Sequence, residues 1–545
     1  MSKLRPIHFA SLLLLIATFG CGSSGTTAPT TQPPVTPPVT PPVTPPTLTQ
    51  SQRTDAAYNG WISAYQVADG SNFYLARSLA DRSRPFWSEG YMIFEAEDAY
   101  FQTHTAARYT HITQLLNEFL AKNPASGWTS DSWDDDLEWI IYAFIRGYEI
   151  TGDPAYLSAA STNWNAVYAR GWDSTNFANG GIYENLDDLP STKNPNPDPN
   201  SISKCVLSNA PFVFEGVELY RATGNASYLT TSQQVYTWMS ANLFNSTNTT
   251  NALGLPGQAN ECIHSYGLGS SDNIYNAGLM VNAANALYRA TGTASYLADA
   301  QLAASHLMTK WPIINKDYPS NGYFSADQGF RSIAAMATQN NLWATYGTWL
   351  QSNADASWAE RRTDYNFTQN NLTIPTPTTG DLQSMEVAAS VTIQASLPVP
   401  FTFTGNYEIQ NANSGLALDV SGASTSTGAA IVQNTYTGTN SQLWTLVATA
   451  GGCYQIKNVK SGLVLNVTGA STATGALIQQ SAAQPMQPGN DQWYPALNAD
   501  NTYSFYSLNS QMALDVPAST TATGAQLDQA FTSNANNQKF NLISR

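Results

Sequence analysis

The stretch Ser132-Trp133-Asp134-Asp135-Asp136-Leu137-Glu138-Trp139 places four carboxylates within five residues, between two tryptophans. Apolar residues recur behind it at the spacing of one helix face: Leu137, Ile140, Ile141, Phe144, Ile145 and Tyr148. Gly152 and Pro154 predict the end of this helix, and Ser132 or Asp131 its N-cap. We therefore expect the acidic run in the first turn of a buried helix, where unpaired N–H groups stabilise negative charge.

This acidic run has two interpretations. One or two acidic residues at a helix start are good helix composition and need no further explanation. Three consecutive aspartates, however, repel one another, and the flanking tryptophans offer flat apolar faces of the kind that sugars stack on. The run therefore predicts a catalytic carboxylate pair, with Asp136 as a helix-turn acceptor and Glu138 as a solvated or paired side chain.

The composition narrows the classes of partner. The chain has 545 residues, which predicts more than one domain, and 23 basic against 38 acidic residues give a formal charge of −15. No basic patch is available to neutralise phosphates, so we expect no nucleic-acid partner. A weakly charged surface with 14 Trp and 28 Tyr fits carbohydrate contact, and it equally fits any secreted acidic protein.

The four cysteines, Cys21, Cys205, Cys262 and Cys453, show no metal-binding spacing, and we predict neither a metal nor a cofactor. Cys205 and Cys262 are expected in one domain. They could form a disulfide or remain as two buried free thiols.

The N-terminus predicts export. Residues 1–21 have a basic end and a short apolar core, as in a signal peptide, and Gly20-Cys21 resembles a bacterial lipoprotein cleavage site with Cys21 as the lipidated residue. Residues 22–50 repeat Pro-Pro-Val-Thr and predict a semi-rigid linker. We expect an extracellular or surface-anchored protein that touches the membrane only through this lipid.

Residues 51–362 have helical periodicity throughout. A weak repeat marks helical hairpins at Thr151–Leu157, Thr223–Leu229 and Thr291–Leu297. Repeated hairpins must bury their faces against neighbours, and about twelve helices predict a closed (α/α)6 barrel with its active site where the inner helices begin. Residues 363–403 are rich in Thr, Asn and Pro and are interpreted as a linker, in which Met385–Val399 could add a strand to either neighbour.

Residues 404–545 change to short strands separated by Gly, Ser and Thr turns. Three copies of one pattern begin at Gly415, Gly462 and Gln511, and each copy ends near a Gln followed by an aromatic residue. Threefold repetition of this kind predicts three β-units that share one core. The predicted fold class is therefore an all-α (α/α)6 barrel followed by an all-β domain.

The three copies resemble ricin-type β-trefoil lectin domains. In that family an early Asp, an aromatic residue and a late amide hold one sugar in each copy. The resemblance implies two sugar sites, formed by Asp419, Tyr436 and Asn440 in the first copy and by Asp515, Phe531 and Asn536 in the third. The second copy has Asn466 in place of the Asp and no matching aromatic residue, and Trp444 is expected to pack in the core.

The helical part resembles glycoside hydrolase family 76, the endo-acting α-1,6-mannanases. The resemblance rests on the acidic run followed by Ile150–Leu157, and on the later blocks Gly180–Tyr183, Lys204–Asn209 and Ile274–Gly278. It implies Asp134 as nucleophile and Asp135 as general acid/base of a retaining hydrolysis. It also implies these substrate-binding residues: Trp133, Trp139, Tyr183, Asn209, Tyr275 and Asn276. Trp133 and Glu184 depart from the family pattern, in which Tyr and an aromatic residue are usual.

Together these features predict a monomeric, secreted or surface-anchored hydrolase of α-1,6-mannan that carries a lectin domain for polysaccharide targeting. A transglycosylase using the same residues, or another (α/α)6 glycosidase, is the first alternative. The second is a surface protein that captures glycans without catalysis, against which the intact Asp134–Asp135 pair argues.

Overall fold

The computed structural model describes residues 48–545 except 176, 192–194, 197, 199, 270, 316–325 and 485–488. The predicted signal peptide, Cys21 and nearly all of the 22–50 linker lie outside the described residues. Within the described part of the chain, we find no helix with the length and apolar character needed to cross a membrane.

The helical region contains twelve α-helices among the described residues. In chain order they are α1 Gln50–Tyr65, α2 Trp87–Thr103, α3 Ala106–Lys122, α4 Asp134–Thr151, α5 Pro154–Gly171, α6 Val206–Thr223, α7 Ala226–Asn242, α8 Ile274–Thr291, α9 Ala294–Lys310, α10 Ala326–Gln339, α11 Trp343–Ala359 and α12 Ser384–Ala395.

The even-numbered helices form a closed inner ring. Each packs against the next, from α2 to α4, α6, α8, α10 and α12, and α12 returns to α2. Each of α3, α5, α7, α9 and α11 packs outside the inner helix that precedes it, and α1 packs on α12. This arrangement confirms the predicted (α/α)6 barrel.

The repeated Thr-Gly motifs mark the turns from inner to outer helices. Gly152, Gly224 and Gly292 follow α4, α6 and α8 with φ values of 72°, 72° and 68°. This left-handed conformation favours glycine because a Cβ atom would crowd the backbone. One motif therefore ends three successive inner helices.

The interpretation of 363–403 as a linker is wrong. Residues 384–395 within it form α12, which supplies the sixth inner helix, and all twelve of its residues are buried except Glu386. A helix surrounded on all sides has no polar face, so its run of Val, Ala and Ile shows no helical periodicity and suggested a strand instead.

Two small sheets lie in the helical region. Strands β1 Gln66–Asp69 and β2 Asn72–Leu75 form a hairpin. Strands β3 Ser203–Cys205, β4 Cys262–His264 and β5 Gly267–Leu268 form a three-stranded antiparallel sheet just before α6 and α8. The second sheet lies beside the start of the inner helices.

The C-terminal domain has twelve strands: β6 Tyr407–Asn411, β7 Ala417–Val420, β8 Ile431–Asn434, β9 Trp444–Ala448, β10 Tyr454–Asn458, β11 Val464–Val467, β12 Ile478–Ser481, β13 Trp493–Leu497, β14 Tyr503–Ser507, β15 Ala513–Asp515, β16 Asp528–Ala530 and β17 Phe540–Ser544. Strands β6, β9, β10, β13, β14 and β17 pair in that order and close into a barrel. The other six strands form three hairpins.

Threefold symmetry extends to side chains. One hydrogen bond of 2.7 Å recurs in each copy, from Ser414 to Gln433, from Ser461 to Gln480 and from Ser510 to Gln529. Trp444, Trp493 and Phe540 are fully buried at corresponding positions, which confirms that Trp444 packs in the core. The predicted β-trefoil is therefore present.

The trefoil packs on the end of the barrel where the inner helices finish. The guanidinium of Arg221, in the last turn of α6, donates to the Asn509 carbonyl, and Thr472 donates to the Arg221 carbonyl at 2.7 Å. A cavity of about 240 Å³ lies between the two domains there. The acidic run begins α4 at the other end of the barrel, so the trefoil does not cover it.

Candidate active site and glycan-binding sites

The acidic run occupies the first turn of α4, as predicted, although its cap differs. Trp133 is the N-cap residue and makes no side-chain capping bond. The Asp134 amide instead donates to the Glu184 carbonyl at 2.9 Å, and the Trp133 amide donates to Asp131 at 3.0 Å. Ser132 or Asp131 as N-cap is therefore wrong, because a neighbouring loop satisfies the first helical N–H group.

Asp134 is fully buried and is held through one oxygen. Its Oδ1 accepts from Arg170 Nε at 2.7 Å, while Oδ2 has no hydrogen-bond partner among the described residues. Gly171 leaves room for this carboxylate, because a Cβ atom there would lie 2.4 Å from Oδ2. Burial raises the pKa of Asp134 to about 7, and the positive charge of Arg170 opposes that rise.

Asp135 is also buried, but it lacks an arginine. Burial raises its pKa well above the ordinary aspartate value, and the charges of Asp136, Glu184 and Asp134 raise it further. Its Oδ1 has no hydrogen-bond partner in the described structure. The environment therefore favours charge on Asp134 and the proton on Asp135.

The next two acids continue this buried cluster. Burial, with the charges of Asp131 and Glu184, raises the pKa of Asp136 to about 8. Glu138 is fully buried, and neither of its carboxylate oxygens has a hydrogen-bond partner in the described part of the chain. Burial raises its pKa well above the ordinary value, so our expectation of a solvated or paired Glu138 is wrong.

Glu184 lies beside the first turn of α4. Its Oε2 accepts from Ser203 Oγ at 2.7 Å and lies 3.0 Å from Cys205 Sγ. Cys205 and Cys262 face each other across β3 and β4 and form a disulfide, which decides between our two alternatives for them. Among the described cysteines, the third is Cys453, which has a free thiol and is buried in the trefoil.

Sequence reasoning missed Arg170 and gave Glu184 no role. Arg170 lies 36 residues after Asp134, in the last turn of α5, and no motif surrounds it. Only the folded hairpin of α4 and α5 brings its guanidinium to Asp134. The one sequence signal for Glu184 was that it replaces the aromatic residue usual in the family pattern.

The two predicted stacking tryptophans have different environments. Trp133 is 41% exposed at the edge of the site and remains a predicted substrate contact. Trp139 is 1% exposed, and its ring centre lies 5.2 Å from that of Tyr91 in the barrel core. We therefore correct Trp139 from a substrate contact to a core packing residue. It lies further along α4 than Trp133, and its side chain packs in the barrel core rather than at the open end.

Two other predicted substrate contacts hold local structure. Asn209 is fully buried, and its side chain bonds both backbone groups of Ile182 and the Cys205 carbonyl. Its predicted sugar contact is therefore corrected to a loop anchor. The Tyr183 hydroxyl donates to Asp173 at 2.5 Å, which fixes the ring at the start of the segment that leads to Glu184.

The predicted pair on α8 lies in the first turn of that helix. The Tyr275 hydroxyl donates to Glu261 at 2.5 Å. Asn276 is fully buried, and neither its amide nitrogen nor its carbonyl oxygen has a hydrogen-bond partner among the described residues. Burying an amide without hydrogen-bond partners costs free energy. Of Tyr275 and Asn276, Asn276 therefore remains the better candidate for contact with a polar ligand.

The first lectin copy presents a half-buried carboxylate. Asp419 Oδ2 accepts from Asn434 at 3.0 Å, and Oδ1 has no hydrogen-bond partner among the described residues. The Arg545 guanidinium lies 4.6 Å from the centre of the Tyr436 ring, and Asn440 is exposed nearby. This copy therefore retains a carboxylate oxygen without a partner, and its sugar site stays a prediction.

The third lectin copy is closed by the barrel. The Phe531 ring centre lies 5.3 Å from that of Tyr148, and a Cβ atom on Gly152 would lie 2.5 Å from the Phe531 ring. Asp515 is 5% exposed and accepts from Asn537 at 2.7 Å, while the predicted Asn536 is exposed and makes no such bond. We therefore correct the predicted sugar site of this copy: Phe531 belongs to the domain interface, Asp515 is engaged inside the trefoil, and Asn536 does not join them.

Comparison with known protein families agrees with this architecture. The model of glycosyl hydrolase family 76 matches residues 51–398, and that of the ricin-type beta-trefoil lectin domain matches residues 400–481 and 489–545. Because the first match covers more than half of the chain, this protein belongs to glycoside hydrolase family 76. It is thus a glycoside hydrolase with an appended ricin-type lectin domain.

Solved structures of the family share the fold at low identity. The GH76A alpha-1,6-mannanase from Salegentibacter sp. HEL1_6 is 19% identical with a TM-score of 0.54, and the match covers 64% of this chain and 98% of that one. An inactive variant of that enzyme with two aspartates replaced, in complex with alpha-1,6-mannotetrose, gives 19% identity, a TM-score of 0.55 and the same coverage.

A family 76 glycoside hydrolase from a bovine Bacteroides thetaiotaomicron strain is 16% identical with a TM-score of 0.51, covering 64% of this chain and 77% of that one. No curated protein matches the chain significantly. At these identities the structures establish the fold of the helical domain and leave the substrate open.

Proposed function

We propose that this protein is an exported endo-α-1,6-mannanase that acts by a retaining mechanism, with Asp134 as nucleophile and Asp135 as general acid/base. The observation that carries the proposal is the unequal environment of two adjacent buried aspartates. Arg170 stabilises charge on Asp134, whereas three neighbouring carboxylates favour the proton on Asp135. A retaining glycosidase needs one ionised and one protonated carboxyl group at the glycosidic bond.

The chemistry follows from these assignments. A carboxylate oxygen of Asp134 attacks the anomeric carbon as the Asp135 proton moves to the departing glycosidic oxygen. This step gives a glycosyl ester on Asp134 and a free chain end. Asp135, now ionised, takes a proton from water as that water attacks the anomeric carbon, and Asp134 leaves as the carboxylate.

The choice of α-1,6-mannan is supported by the family and by the substrate of structurally similar enzymes. The family model matches 51–398, and the solved mannanases share the barrel. One of them is described as inactive when two aspartates are replaced, which supports a paired-aspartate mechanism here. Trp133 and Asn276 are the side chains that we expect to contact the sugar.

Export is supported by the Cys205–Cys262 disulfide, because such bonds persist in oxidising compartments. We propose that residues 1–21 direct export, that Cys21 carries lipid and that the Pro-rich linker holds the two domains away from the surface. Mass spectrometry of the mature N-terminus tests this. An unmodified chain cleaved elsewhere would refute the lipid anchor.

Proton NMR of fresh products tests the central proposal. The purified chain should cleave α-1,6-mannotetraose internally and release the α-anomer first, before mutarotation mixes the anomers. Initial release of the β-anomer would refute retention, and products longer than the substrate would show transglycosylation. No cleavage of α-1,6-linked mannan would refute the assigned substrate.

A further inference from the structure

Glu184 is a further carboxylate at the candidate active site, and the proposed reaction so far gives it no role. Its backbone carbonyl accepts from the Asp134 amide at 2.9 Å, so this residue is fixed directly to the first turn of α4. Its backbone amide donates to the Ser203 carbonyl at 3.1 Å, which ties it to β3 on the other side. Glu184 thus joins the catalytic helix to the small sheet.

The Glu184 side chain is also fixed. Oε2 accepts from Ser203 Oγ at 2.7 Å and lies 3.0 Å from Cys205 Sγ and 4.0 Å from Cys262 Sγ. Because the two sulfur atoms are joined in a disulfide, they carry no proton and cannot neutralise the carboxylate. Ser203 therefore supplies the one hydrogen bond to Oε2 that is found among the described residues.

The charges that act on Glu184 are those of two acids, Glu261 and Asp188. Burial raises the pKa of Glu184, the hydrogen bond from Ser203 opposes that rise, and the charge of Glu184 acts in turn on Asp135 and Asp136. The charged groups that face Asp135 are likewise carboxylates: Asp134, Asp136, Glu138 and Glu184. Arg170, the nearest guanidinium, is engaged by Asp134 and by the carbonyls of Thr129 and Asp131.

We propose that Glu184 is a positioning residue of the hydrolytic reaction, whose carboxylate, held by Ser203 beside the Cys205–Cys262 disulfide, keeps on Asp135 the proton that the departing glycosidic oxygen receives. The proposal rests on the assignment of Asp135 as the acid. In this arrangement the chain raises the proton affinity of its acid with a fixed neighbouring carboxylate. Glu184 itself need not touch the substrate.

The first test is the pH profile of Glu184→Gln, which keeps the side-chain volume and an acceptor for Ser203. Removing one nearby negative charge should move the alkaline limb of kcat/KM on α-1,6-mannotetraose down by about one pH unit. At a pH above that limb the variant should be about 10-fold slower, with KM little changed. The matched control is Asp188→Asn. This change removes an acid whose charge acts on Glu184 and is not among those that act on Asp135, so the alkaline limb should stay in place.

The second test uses a substrate that does not need the acid. An aryl α-1,6-mannobioside with a strongly acidic phenol as leaving group departs without protonation, so glycosylation by Glu184→Gln should equal that by the wild type. An equal loss on both substrates, or an unmoved alkaline limb, would overturn the proposal and indicate a purely structural residue. Glu184→Asp keeps the negative charge. Its alkaline limb of kcat/KM should therefore lie closer to that of the wild type than the limb of Glu184→Gln does.

A third measurement separates this proposal from the proposed function. Carbon-13 NMR of aspartate-labelled enzyme follows the Asp135 carboxyl directly, assigned by its loss in Asp135→Asn, and needs no turnover. Its titration should move to lower pH in Glu184→Gln even if α-1,6-mannan proves to be the wrong substrate. An unchanged titration would refute the role of Glu184 whatever the enzyme cleaves.

Discussion

The aspartates at the open end of the barrel and the aspartate in the first lectin copy present one functional group in two different environments. Asp134 and Asp135 are buried, and each keeps an oxygen without a hydrogen-bond partner among the described residues. Asp419 is half-buried on the trefoil and also keeps such an oxygen. All three therefore have an unsatisfied acceptor, but only the first two have neighbours that favour a charge on one and a proton on the other.

Under the roles that we propose, burial and neighbouring charges, rather than residue type, distinguish the catalytic pair from the glycan-binding aspartate. Around the barrel pair there are one arginine and several carboxylates, and the pKa values are raised. Around Asp419 there are the neutral amides of Asn434 and Gln442, which orient the carboxylate. Replacing Asp by Asn should therefore have very different consequences at the two places.

The largest effect is expected at the barrel pair. Asp134→Asn removes the nucleophile and Asp135→Asn removes the proton donor, so each should lower kcat by about 10²–10⁴-fold. Initial rates on α-1,6-mannotetraose measure this, with circular dichroism to confirm folding. Asp136→Asn is the matched control and should cost less than about 10-fold. If Asp136→Asn were as damaging as the other two, the catalytic roles would belong to different residues.

A smaller effect is expected at Arg170. Asp134 must be ionised to attack, and Arg170 opposes the rise of its pKa to about 7. Arg170→Gln should raise that pKa, so the acidic limb of kcat/KM should move to higher pH, with about a 10-fold loss at pH 7. Arg170→Lys keeps a positive charge and should recover part of the rate. A shift of the limb toward lower pH would contradict the assignment of Asp134 as the ionised group.

The sequence was informative where a local pattern determines the structure. Glycine stops such as Gly152 ended the helices, and threefold repetition predicted the trefoil. The acidic run lies in the first turn of α4 as its spacing predicted. Each of these features depends on neighbours within a few residues, which the chain order shows directly.

The sequence was not informative where packing determines the outcome. Helix α12 escaped notice because a helix enclosed by the barrel has no polar face. Trp139 belonged to the predicted motif but points into the core. Arg170 reaches Asp134 only through the α4–α5 hairpin, and Phe531 is covered only because the two domains pack together. No periodicity or motif carries such long-range contacts.

In the lectin domain we expect a moderate effect, confined to binding. Asp419→Ala removes a charged acceptor of sugar hydroxyls and should weaken retention on α-mannan by about 10- to 100-fold. Turnover of soluble mannotetraose should not change, because the trefoil lies away from the start of α4. Affinity electrophoresis in mannan gels measures retention. Undiminished retention of Asp419→Ala would show that glycan binding resides elsewhere.

The smallest effect on binding is expected at Asp515, although its sequence surroundings match those of Asp419. The Asp515 carboxylate is already engaged by Asn537, and a hydrogen bond links it to Asp528, whose pKa is raised to about 7 by burial and by the charge of Asp515. Its aromatic partner Phe531 packs on Tyr148 and lies over Gly152, so a sugar would have to displace the barrel to reach it.

Asp515→Ala should therefore leave mannan retention unchanged, while the double variant with Asp419→Ala should bind no more weakly than Asp419→Ala alone. The variant should instead lose stability, since the Asn537 amide would lose one of its two buried acceptors and keep only the Val516 carbonyl, with an expected cost of about 1 kcal/mol in the free energy of unfolding. Thermal unfolding of the full chain measures that cost. Asn466→Ala, in the second copy, is the matched control for retention. A further loss of retention in the double variant would mean that the third copy opens to glycan in solution, and the contrast between the two copies would then reflect only a closed state of the interface.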